Sequence, residues 1–323
     1  MSRESKTESP VLSMDDVSFS YAGGRYGAGV EGISLSLGRG EVALLCGPSG
    51  CGKTTVTRLA NGLAPHFYEG AETGTVRVCG LDIAHAELWE TARLVGSVFQ
   101  NPKTQFYNVD VRGEVAFGCE NLGFEPSDID RRVDAAAREF DLAPLIDESL
   151  FSLSSGQKQR VACASAAATS PALVVLDEPS SNLDFEAIAQ LRSAIARWKA
   201  EGVAVLVAEH RIHYLEGIAD HVLYLDDGRL ARRWTADEFA RLDDSERMQL
   251  GLRARSVDGI FHGNGRYNAS AKAETQRAAA DKETVRFEGL TARCRKNGAF
   301  ERILKVDSLE LPAESVTALV GSC

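Results

Sequence analysis

Short apolar runs alternate with longer amphipathic stretches along the first three quarters of the chain. Alternating polarity in LSMDDVSFSYA (12–22) predicts a strand with one buried face. Continuous apolar runs predict strands that are buried on both faces, and they lie at residues 42–46, 172–179 and 203–210. Helical periodicity predicts helices at residues 54–63, 157–169 and 185–202. This order of elements predicts an α/β domain with a mainly parallel sheet covered on both faces.

Other segments predict turns and smaller elements. GISLSLGRGEVALLCG (32–47) predicts a hairpin-like pair of strands around a Gly-rich turn. HVLYLDDGRLARRW (221–234) predicts a hairpin that turns at Asp227 and Gly228. Residues 74–99 predict short strands with a helix, and residues 109–150 predict charged helices with a break near 126–130.

The pattern weakens after residue 240. Residues 251–284 are rich in Gly, Asn, Ala and charge, which is typical of a linker, and order returns at VRFEGLTARC. The sequence therefore predicts four parts: a disordered N-terminus (1–11), a complete domain (12–240), a helical or linker segment (241–284) and the start of a second domain (285–323).

The second domain is predicted from an internal repeat. FEGLTA (287–292) resembles MDDVSF (14–19), and the final ALVGSC resembles LLCGPS (44–49). Phe287 lies 273 residues after Met14, and Gly321 lies 274 after Gly47. Near-constant offsets favour a tandem duplication. Since so short a piece is unable to bury a core, we expect residues 285–323 to be poorly ordered or loosely docked. We interpret Cys323 as an artificial or accidental end of a two-domain protein.

Composition narrows the functional class. The 323 residues are 44% hydrophobic and 25% charged, as in ordinary globular proteins. A formal net charge of −10 argues against nucleic-acid binding and against direct docking on anionic lipid. No apolar run approaches the roughly 18 residues of a membrane span, and the N-terminus lacks a signal-peptide core. The sequence predicts a cytoplasmic protein, with seven unpaired cysteines and an accessible thiol at Cys51.

The phosphate loop (residues 47–55, GPSGCGKTT) is the first candidate site. It fits G-x-x-x-x-G-K-[ST] after an apolar strand and before a helix. Glycines let backbone N–H groups turn towards phosphate, and the helix N-terminus adds a positive dipole end. We expect Lys53 to reach the β- and γ-phosphates and the Thr54 hydroxyl to ligate Mg²⁺. The predicted contacts are Gly47, Pro48, Ser49, Gly50, Cys51, Gly52, Lys53, Thr54 and Thr55.

Two adjacent acids end the apolar strand LVVLDEP (173–179). Asp177 is predicted to hold Mg²⁺ directly or through water, and Glu178 to orient and polarise the attacking water. Together with the phosphate loop, these acids predict phosphoryl transfer from ATP with Mg²⁺ as cofactor.

The signature segment (residues 153–157, LSSGQ) is the most discriminating motif. Hydroxyl and N–H donors at a helix start predict a second anion site, formed by Ser154, Ser155, Gly156 and Gln157. The segment resembles the LSGGQ signature of ATP-binding cassette (ABC) ATPases, with Ser155 in place of a glycine. That resemblance implies a P-loop NTPase fold of ABC type: an antiparallel β subdomain, a mainly parallel core sheet flanked by helices, and a helical signature subdomain.

Further motifs follow in the order of that family. The resemblance implies that Tyr21 in FSYAG stacks on adenine and that Gln100 in VFQNP senses Mg²⁺ and water. It also implies that Asp184 in SNLD reaches across a dimer interface and that His210 in AEH contacts the γ-phosphate. The implied catalytic residues are Glu178, His210 and Gln100.

Three segments (62–83, 99–123 and 208–215) resemble the ATPase subunits of energy-coupling factor (ECF) transporters. The resemblance implies an ATPase held at the cytoplasmic face of the cell membrane, energising uptake of a vitamin, a metal ion or a similar micronutrient. The implied partners are a transmembrane scaffold subunit and a substrate-binding membrane subunit. The groove for the scaffold is expected at Pro102, Phe106, Tyr107 and Phe117.

In this family ATP lies between two cassettes that close head to tail, so the resemblance also implies a second ABC domain or subunit as partner. Two alternatives stay open: a soluble tandem cassette of the translation-factor type, and an ATP-binding fragment with little turnover. The acidic chain and the His in AEHR disfavour the former. About 100 residues separate Lys53 from Ser154, which leaves no room for the long coiled coil of DNA-repair cassettes.

Overall fold

The structure is a computed structural model that describes residues 9–24, 29–253, 284–296 and 299–312. The strands are β1 Leu12–Tyr21, β2 Val30–Leu37, β3 Val42–Cys46, β4 Gly70–Val78, β5 Leu81–Asp82, β6 Val95–Val98, β7 Leu173–Asp177, β8 Ala204–Ala208, β9 His221–Asp226, β10 Arg229–Thr235, β11 Thr284–Lys296 and β12 Ala299–Pro312. The helices are α1 Lys53–Ala60, α2 Leu63–His66, α3 Leu88–Leu94, α4 Val111–Asn121, α5 Pro126–Glu139, α6 Ser155–Ala168, α7 Phe185–Ala200, α8 Ala236–Arg241 and α9 Asp244–Gln249.

Two sheets organise the first compact unit, which contains the described residues up to 253. A four-stranded antiparallel sheet has the order β2-β1-β4-β5. A six-stranded sheet has the order β10-β9-β3-β8-β7-β6, in which only β10 runs antiparallel to its neighbour. With α4, α5 and α6 packed together as a helical layer, this is the predicted ABC-type arrangement.

The apolar runs of the central strands are explained by two cores, one on each face of the six-stranded sheet. In β3, Val42 and Leu44 point into one core with the helical layer, whereas Ala43 and Leu45 point into the other with the antiparallel sheet. Strands β7 and β8 alternate in the same way. Since every position of β3 and β8 and the first four of β7 are buried, these positions are apolar without polar alternation.

The predicted hairpin at residues 32–47 is wrong. β2 pairs with β1 in the antiparallel sheet, while β3 lies between β8 and β9 in the other sheet. The burial patterns give the reason, because β2 alternates between buried and exposed residues whereas all of β3 is buried. The hairpin at 221–234 is confirmed, with Asp227 and Gly228 at φ 44° and 78° in its turn.

The helical break predicted near 126–130 lies slightly earlier, between Asn121 and Pro126. Pro126 is the first residue of α5, where its fixed φ is compatible with a helix and its missing N–H leaves no bond unmade. α4 begins where the Asp110 carboxylate accepts a hydrogen bond from the N–H of Gly113.

The first unit extends past the predicted boundary at residue 240 because α9 is anchored by Arg247. This side chain is fully buried, and its Nη1 lies 2.8 Å from Glu216 Oε1. Its Nη2 donates to the carbonyl of Phe239, and its guanidinium lies 4.5 Å from the centre of that ring. Glu216 follows the turn after His210, so α9 packs against the segment that leads away from the predicted site.

Replacing Arg247 with Ala is expected to lower the free energy of unfolding by about 2–4 kcal/mol, because it removes a partly buried ion pair with Glu216 and one of the two donors to the Phe239 carbonyl. Urea denaturation of the purified chain measures the change. Arg241→Ala, at an exposed position on α8, is the matched control. Equal losses in the two variants would contradict a specific anchoring role.

The described residues of the second unit form an antiparallel strand pair, β11 with β12. Its register reproduces that of β1 with β2. The corresponding pairs are Leu12↔Leu37 with Val285↔Leu311, and Met14↔Leu35 with Phe287↔Leu309. The offset is 273 residues on the first strand and 274 on the second, as in the sequence repeat. The strand pairing is therefore consistent with an internal duplication.

A second feature recurs at the same offset. Asp16 has φ 49° and Gly289 has φ 60°, so both first strands bend at one left-handed residue. Val285 and Phe287 are 56% and 36% exposed, whereas the corresponding Leu12 and Met14 are buried. The predicted second phosphate loop near Gly321 and the linker core at 254–283 lie outside the described residues.

Within the part of the chain that the structure describes, no helix combines the length and the apolar character needed to cross a bilayer.

Candidate functional site

The phosphate loop joins β3 to α1, and two of its glycines are sterically required. Gly47 has φ 142°, and a Cβ there would lie 2.1 Å from the carbonyl oxygen of Leu225. Gly52 has φ 104°, and a Cβ there would lie 2.7 Å from Val30 Cγ1. Both values are below any real Cβ contact, so only glycine permits this loop path.

Lys53 begins α1 and is 4% exposed. Its Nζ donates to the carbonyls of Gly47 and Pro48, at 3.0 and 2.8 Å. The ammonium group thus lies within the loop at a helix N-terminus, where both charge and dipole favour an anion. Pro48, Ser49 and Gly50 form the exposed outer part of the loop.

The expected accessibility of Cys51 is wrong. The side chain is 5% exposed, and its Sγ lies 3.7 Å from Lys53 Nζ. Burial raises the pKa of this thiol despite the nearby ammonium, which disfavours the reactive thiolate form.

The predicted metal ligands Thr54 and Asp177 meet at the end of β7. The Thr54 hydroxyl donates to Asp177 Oδ1 at 3.2 Å, which brings together two residues 123 positions apart in sequence. Burial, with the adjacent Glu178 adding to it, raises the pKa of Asp177 from 3.8 to about 6. A hydroxyl and a half-buried carboxylate at one edge of the loop suit a hard divalent cation.

The three predicted catalytic residues converge. Gln100 Nε2 donates to Glu178 Oε2 at 2.8 Å, and His210 Nε2 lies 3.3 Å from Glu178 Oε1. Gln100 follows β6, Glu178 follows β7 and His210 follows β8, and these are adjacent parallel strands. Their carboxyl ends meet at one sheet edge, where α/β proteins place ligands. Gln100, predicted also as a metal ligand, contacts Glu178 instead of Asp177.

Glu178 has φ 45°, a left-handed conformation that costs energy in a residue other than glycine. Its N–H donates to the carbonyl of Ala208 at 2.8 Å, which ties the backbone of Glu178 to the strand that precedes His210. The strained backbone directs the carboxylate towards both Gln100 and His210.

Glu209, which no sequence motif predicts as a site residue, positions the backbone of the predicted histidine. It is 2% exposed, and its Oε1 accepts from the N–H groups of His210 and Arg211 at 2.7 and 2.9 Å. Its Oε2 accepts from the N–H of Ser180 and the hydroxyl of Tyr214. The carboxylate therefore links the His210 segment to the loop after Glu178. An acid at the end of an apolar strand, directly before the histidine, was the available signal.

Tyr21, predicted to stack on adenine, is packed inside the unit. Its exposed fraction is 6%, and its ring makes edge contacts with Phe19 and Tyr68 at 4.9 and 6.2 Å between ring centres. Its hydroxyl donates to Thr55 Oγ1 at 3.1 Å. The structure thus places Tyr21 beside the first turn of α1, and stacking on adenine stays a prediction that needs an open ring face.

The signature segment caps α6 with its own side chains. Ser154 Oγ accepts from the N–H of Gln157, and Gln157 Oε1 accepts from the N–H of Ser154. Ser155 is exposed, and a Cβ on Gly156 would lie 2.9 Å from Ala187 Cβ, so α6 approaches α7 closely there. Asp184 Oδ1 accepts from the N–H of Ala187 and thereby caps α7.

Asp177→Asn is expected to stabilise the chain at neutral pH in the absence of Mg²⁺ and nucleotide. The folded chain holds the Asp177 proton more tightly than the unfolded chain does, because its pKa is raised to about 6. The charged form therefore costs about 3 kcal/mol above pH 6, and this cost disappears below the unfolded pKa. An Asn Oδ1 still accepts from Thr54.

We expect a gain of about 1–3 kcal/mol at pH 7 that shrinks as the pH falls from 6 towards 4. Urea denaturation at pH 7.0 and 4.5 measures it, with Asp130→Asn at an exposed position as control. A gain of equal size at both pH values would contradict the assigned cause.

Comparisons with known proteins give the family. A family model described as ABC transporter matches residues 30–181. A "Putative ABC transporter ATP-binding protein" of Pyrococcus abyssi is 33% identical over 277 residues, which cover 85% of this chain and 96% of that protein. A protein of the same description from Treponema denticola is 39% identical over 281 residues, 87% of this chain and 55% of that protein. A second from that organism is matched over 61% of its length, so the chain spans little more than half of these two relatives.

Two solved structures have folds similar to that of this chain. cbiO1 of Clostridium perfringens, part of the ABC transporter complex cbiONQ, has a TM-score of 0.64 and 27% identity, covering 75% of this chain and 94% of cbiO1. The ATP-binding cassette MJ0796, solved as a dimer bound to ADP and Pi, has a TM-score of 0.60 at 21% identity over 70% of this chain and 98% of its own, which shows the shared fold. With the phosphate loop, the acid pair and the signature segment in place, the chain belongs to the ATP-binding proteins of the ABC transporter family.

Proposed function

We propose that the chain binds and hydrolyses ATP at the phosphate loop. The observation that carries the proposal is the convergence of Gln100 and His210 on the Glu178 carboxylate at 2.8 and 3.3 Å. The backbone of Glu178 is strained, and its half-buried carboxylate is held between an amide and an imidazole. Such a group can accept a proton from a water molecule and orient that water for in-line attack.

Each part of the site has one proposed task. Lys53 neutralises the β- and γ-phosphates, Glu178 polarises the attacking water, and His210 contacts the γ-phosphate. Gln100 fixes the Glu178 carboxylate through its amide donor. Glu209 holds the backbone of His210 in place. Hydrolysis then depends on positioning and charge neutralisation, with no covalent enzyme intermediate.

The residues fit Mg²⁺ as a cofactor. Thr54 and Asp177 offer two oxygen atoms beside the loop, and among the described residues no group of three or more His, Cys, Asp or Glu forms a denser metal site. Such sparse ligation suits Mg²⁺, which usually takes one or two protein oxygens together with phosphate oxygens and water. When bound, Mg²⁺ would neutralise charge on the β- and γ-phosphates.

We infer that two cassettes share each ATP head to tail. Ser154 and Ser155 form a donor-rich helix start, and in the described residues no hydrogen bond joins them to the phosphate loop of the same chain. A second ABC domain or subunit would bring such a signature segment to the γ-phosphate, with Asp184 at the interface. The β11–β12 pair, which repeats the register of β1 and β2, supports a second cassette in this protein.

We further propose that the protein energises an ECF-type importer of a micronutrient at the cytoplasmic face of the cell membrane. The similarity to cbiO1 of a cbiONQ complex and the three ECF-like segments support this. Tyr107 is 79% exposed and stacks at 5.0 Å on Phe117, whereas Pro102 is buried and Phe106 packs against the core. The exposed Tyr107–Phe117 stack is thus the proposed contact for a helix of the transmembrane scaffold, which would partner a substrate-binding membrane subunit.

Specific ATPase activity of the purified chain is expected to rise with protein concentration, because catalysis requires a second signature segment. Below the dimer dissociation constant, activity per chain should fall roughly in proportion to dilution. Phosphate release measured over a wide concentration range tests this. A flat profile with measurable turnover contradicts pairing, and ATP binding without turnover at any concentration supports a binding fragment instead.

A further inference from the structure

The loop between β7 and α7 joins two parts of the proposed site. It follows Glu178, whose backbone has the left-handed φ of 45°, and it ends at Asp184, whose carboxylate caps α7. We call residues 179–184 the interface loop, because Asp184 is the residue proposed to lie at the contact with the second cassette. The path of this loop determines where Asp184 lies relative to Glu178.

The contacts within the interface loop fix its turns and one side chain. The N–H of Ser181 donates to the carbonyl of Glu178, and the N–H of Leu183 donates to the carbonyl of Ser180, each at 3.2 Å. Such bonds between residues three apart stabilise local turns, and the Leu183 side chain packs in the core with the helical layer. Neither kind of contact ties the loop backbone to the segment that carries His210.

Arg211 makes that connection. Its Nη1 donates to the carbonyls of Ser180 and Leu183, at 3.4 and 3.1 Å. A guanidinium group is a charged donor, and charge-assisted hydrogen bonds are stronger than neutral ones. The shorter of the two bonds is made to the residue directly before Asp184, so it acts on the end of the loop that leads into α7.

Glu209 completes a ring of hydrogen bonds with Arg211. Its Oε2 accepts from the N–H of Ser180 at 3.2 Å, and its Oε1 accepts from the N–H of Arg211 at 2.9 Å. The side chain of Arg211 then returns to the carbonyl of Ser180. Since His210 lies between Glu209 and Arg211 in sequence, a movement of its backbone acts on the interface loop through both neighbours.

We propose that Arg211 is a positioning residue, which sets how the interface loop presents Asp184 to the second cassette. Arg211 acts through the loop backbone and leaves ATP binding to the phosphate loop. Loss of its guanidinium releases the carbonyls of Ser180 and Leu183 and thereby weakens the pairing of two cassettes. The effect on pairing rests on the proposed head-to-tail function, whereas the effect on the loop itself does not.

Amide hydrogen exchange of the purified chain without nucleotide tests the effect on the loop. In Arg211→Met, the N–H groups of Ser181 and Leu183 are expected to exchange roughly tenfold faster, because the loop opens more often once the charge-assisted bonds are lost. Arg211→Gln is a milder variant that also removes the charge, and it decides alone if Arg211→Met does not fold. Unchanged exchange in the loop overturns the proposal.

Arg192→Met is the matched control for the exchange measurement. Arg192 lies on α7, and its Nη1 likewise donates to two backbone carbonyls, those of Tyr214 and Glu216, in the segment after His210. The control therefore removes the same chemistry from a contact outside the interface loop. Equal acceleration of loop exchange in both variants would show general loosening and contradict a specific action of Arg211.

Turnover measured against chain concentration tests the effect on pairing. In Arg211→Met, the chain concentration that gives half-maximal activity is expected to rise roughly tenfold, while ATP affinity and turnover at saturating chain concentration stay within a few-fold of the wild type. Arg211→Lys should recover most of the loss, because an ammonium group also carries donors for both carbonyls. A lower maximal turnover with an unchanged half-maximal concentration would overturn the role in pairing.

A double-mutant cycle tests whether Arg211 acts through Asp184. Asn still caps a helix, so Asp184→Asn should fold and raise the half-maximal concentration by itself. Arg211→Met should then add little in the Asp184→Asn background, and additive losses would contradict action through Asp184. A wild-type profile that is flat with concentration contradicts the proposed pairing and the role of Arg211 in it, while the exchange measurement still decides its action on the loop.

Discussion

Glu178→Gln is expected to reduce ATP turnover by roughly 10²- to 10⁴-fold, the contribution typical of a positioned general base. The substitution keeps the size of the side chain but removes the charge that accepts a proton from water. The Gln100 amide and the His210 imidazole, now 2.8 and 3.3 Å from the carboxylate, would face a neutral amide. Binding of ATP should persist, because the phosphate loop is unchanged.

The same variant should accumulate an ATP-bound dimer, since closure requires ATP and reopening requires hydrolysis in the proposed cycle. Phosphate release gives the turnover, and size-exclusion chromatography with MgATP gives the dimer. Glu120→Gln, which neutralises an exposed acid on α4, is the matched control. Turnover within a few-fold of the wild type would show that Glu178 is not the base, and a strictly monomeric variant would argue against pairing of two such chains.

The fold was predictable where the residues of a single strand indicate which of its faces are buried. The fully apolar runs of β3, β7 and β8 predicted a parallel sheet with two covered faces, and the two cores confirm this reason. β2 was misassigned because sequence proximity suggested a hairpin with β3. Its alternating burial fits the antiparallel sheet, and its pairing with β1 joins residues as far apart as Leu12 and Leu37.

The candidate site was likewise predictable in its local motifs and unpredictable in its contacts between distant residues. The phosphate loop and the acid pair lie on contiguous segments whose chemistry is local, so the sequence alone predicted them. The contacts between Gln100, Glu178 and His210 require three neighbouring strand ends, and no local pattern specifies which atoms meet. The sequence did not predict the role of Glu209, because that role depends on hydrogen bonds from Ser180 and Tyr214, which are far from each other in sequence.

The registers of the β1–β2 and β11–β12 pairs add to the sequence evidence for an internal repeat. Few letters match between the two halves, but both strand pairs align apolar partners at offsets of 273 and 274 residues. A chance resemblance has no reason to preserve a two-strand register, since slipping by one residue turns every side chain to the other face. The exposed Val285 and Phe287 correspond to core positions of the first unit. We infer that they belong to a core completed by a second cassette.

Lys53→Met is expected to weaken ATP binding about 100-fold or more. Lys53 is 4% exposed, and its ammonium group donates to the carbonyls of Gly47 and Pro48 within the loop. In the proposed complex these donors turn to phosphate oxygens, and each charge-assisted hydrogen bond contributes about 1.5–3 kcal/mol. Methionine retains much of the volume of the side chain, so the loop path set by Gly47 and Gly52 should survive.

The loss should be graded by the number of phosphates, which separates a charge effect from a collapsed loop. If Lys53 reaches the β- and γ-phosphates, affinity should fall most for ATP, less for ADP and least for AMP. Equilibrium binding of the three nucleotides measures this order, with Lys305→Met at an exposed position of β12 as control. Equal losses for all three would mean that the substitution disrupts the loop, and unchanged ATP affinity would refute the assigned role of the ammonium group.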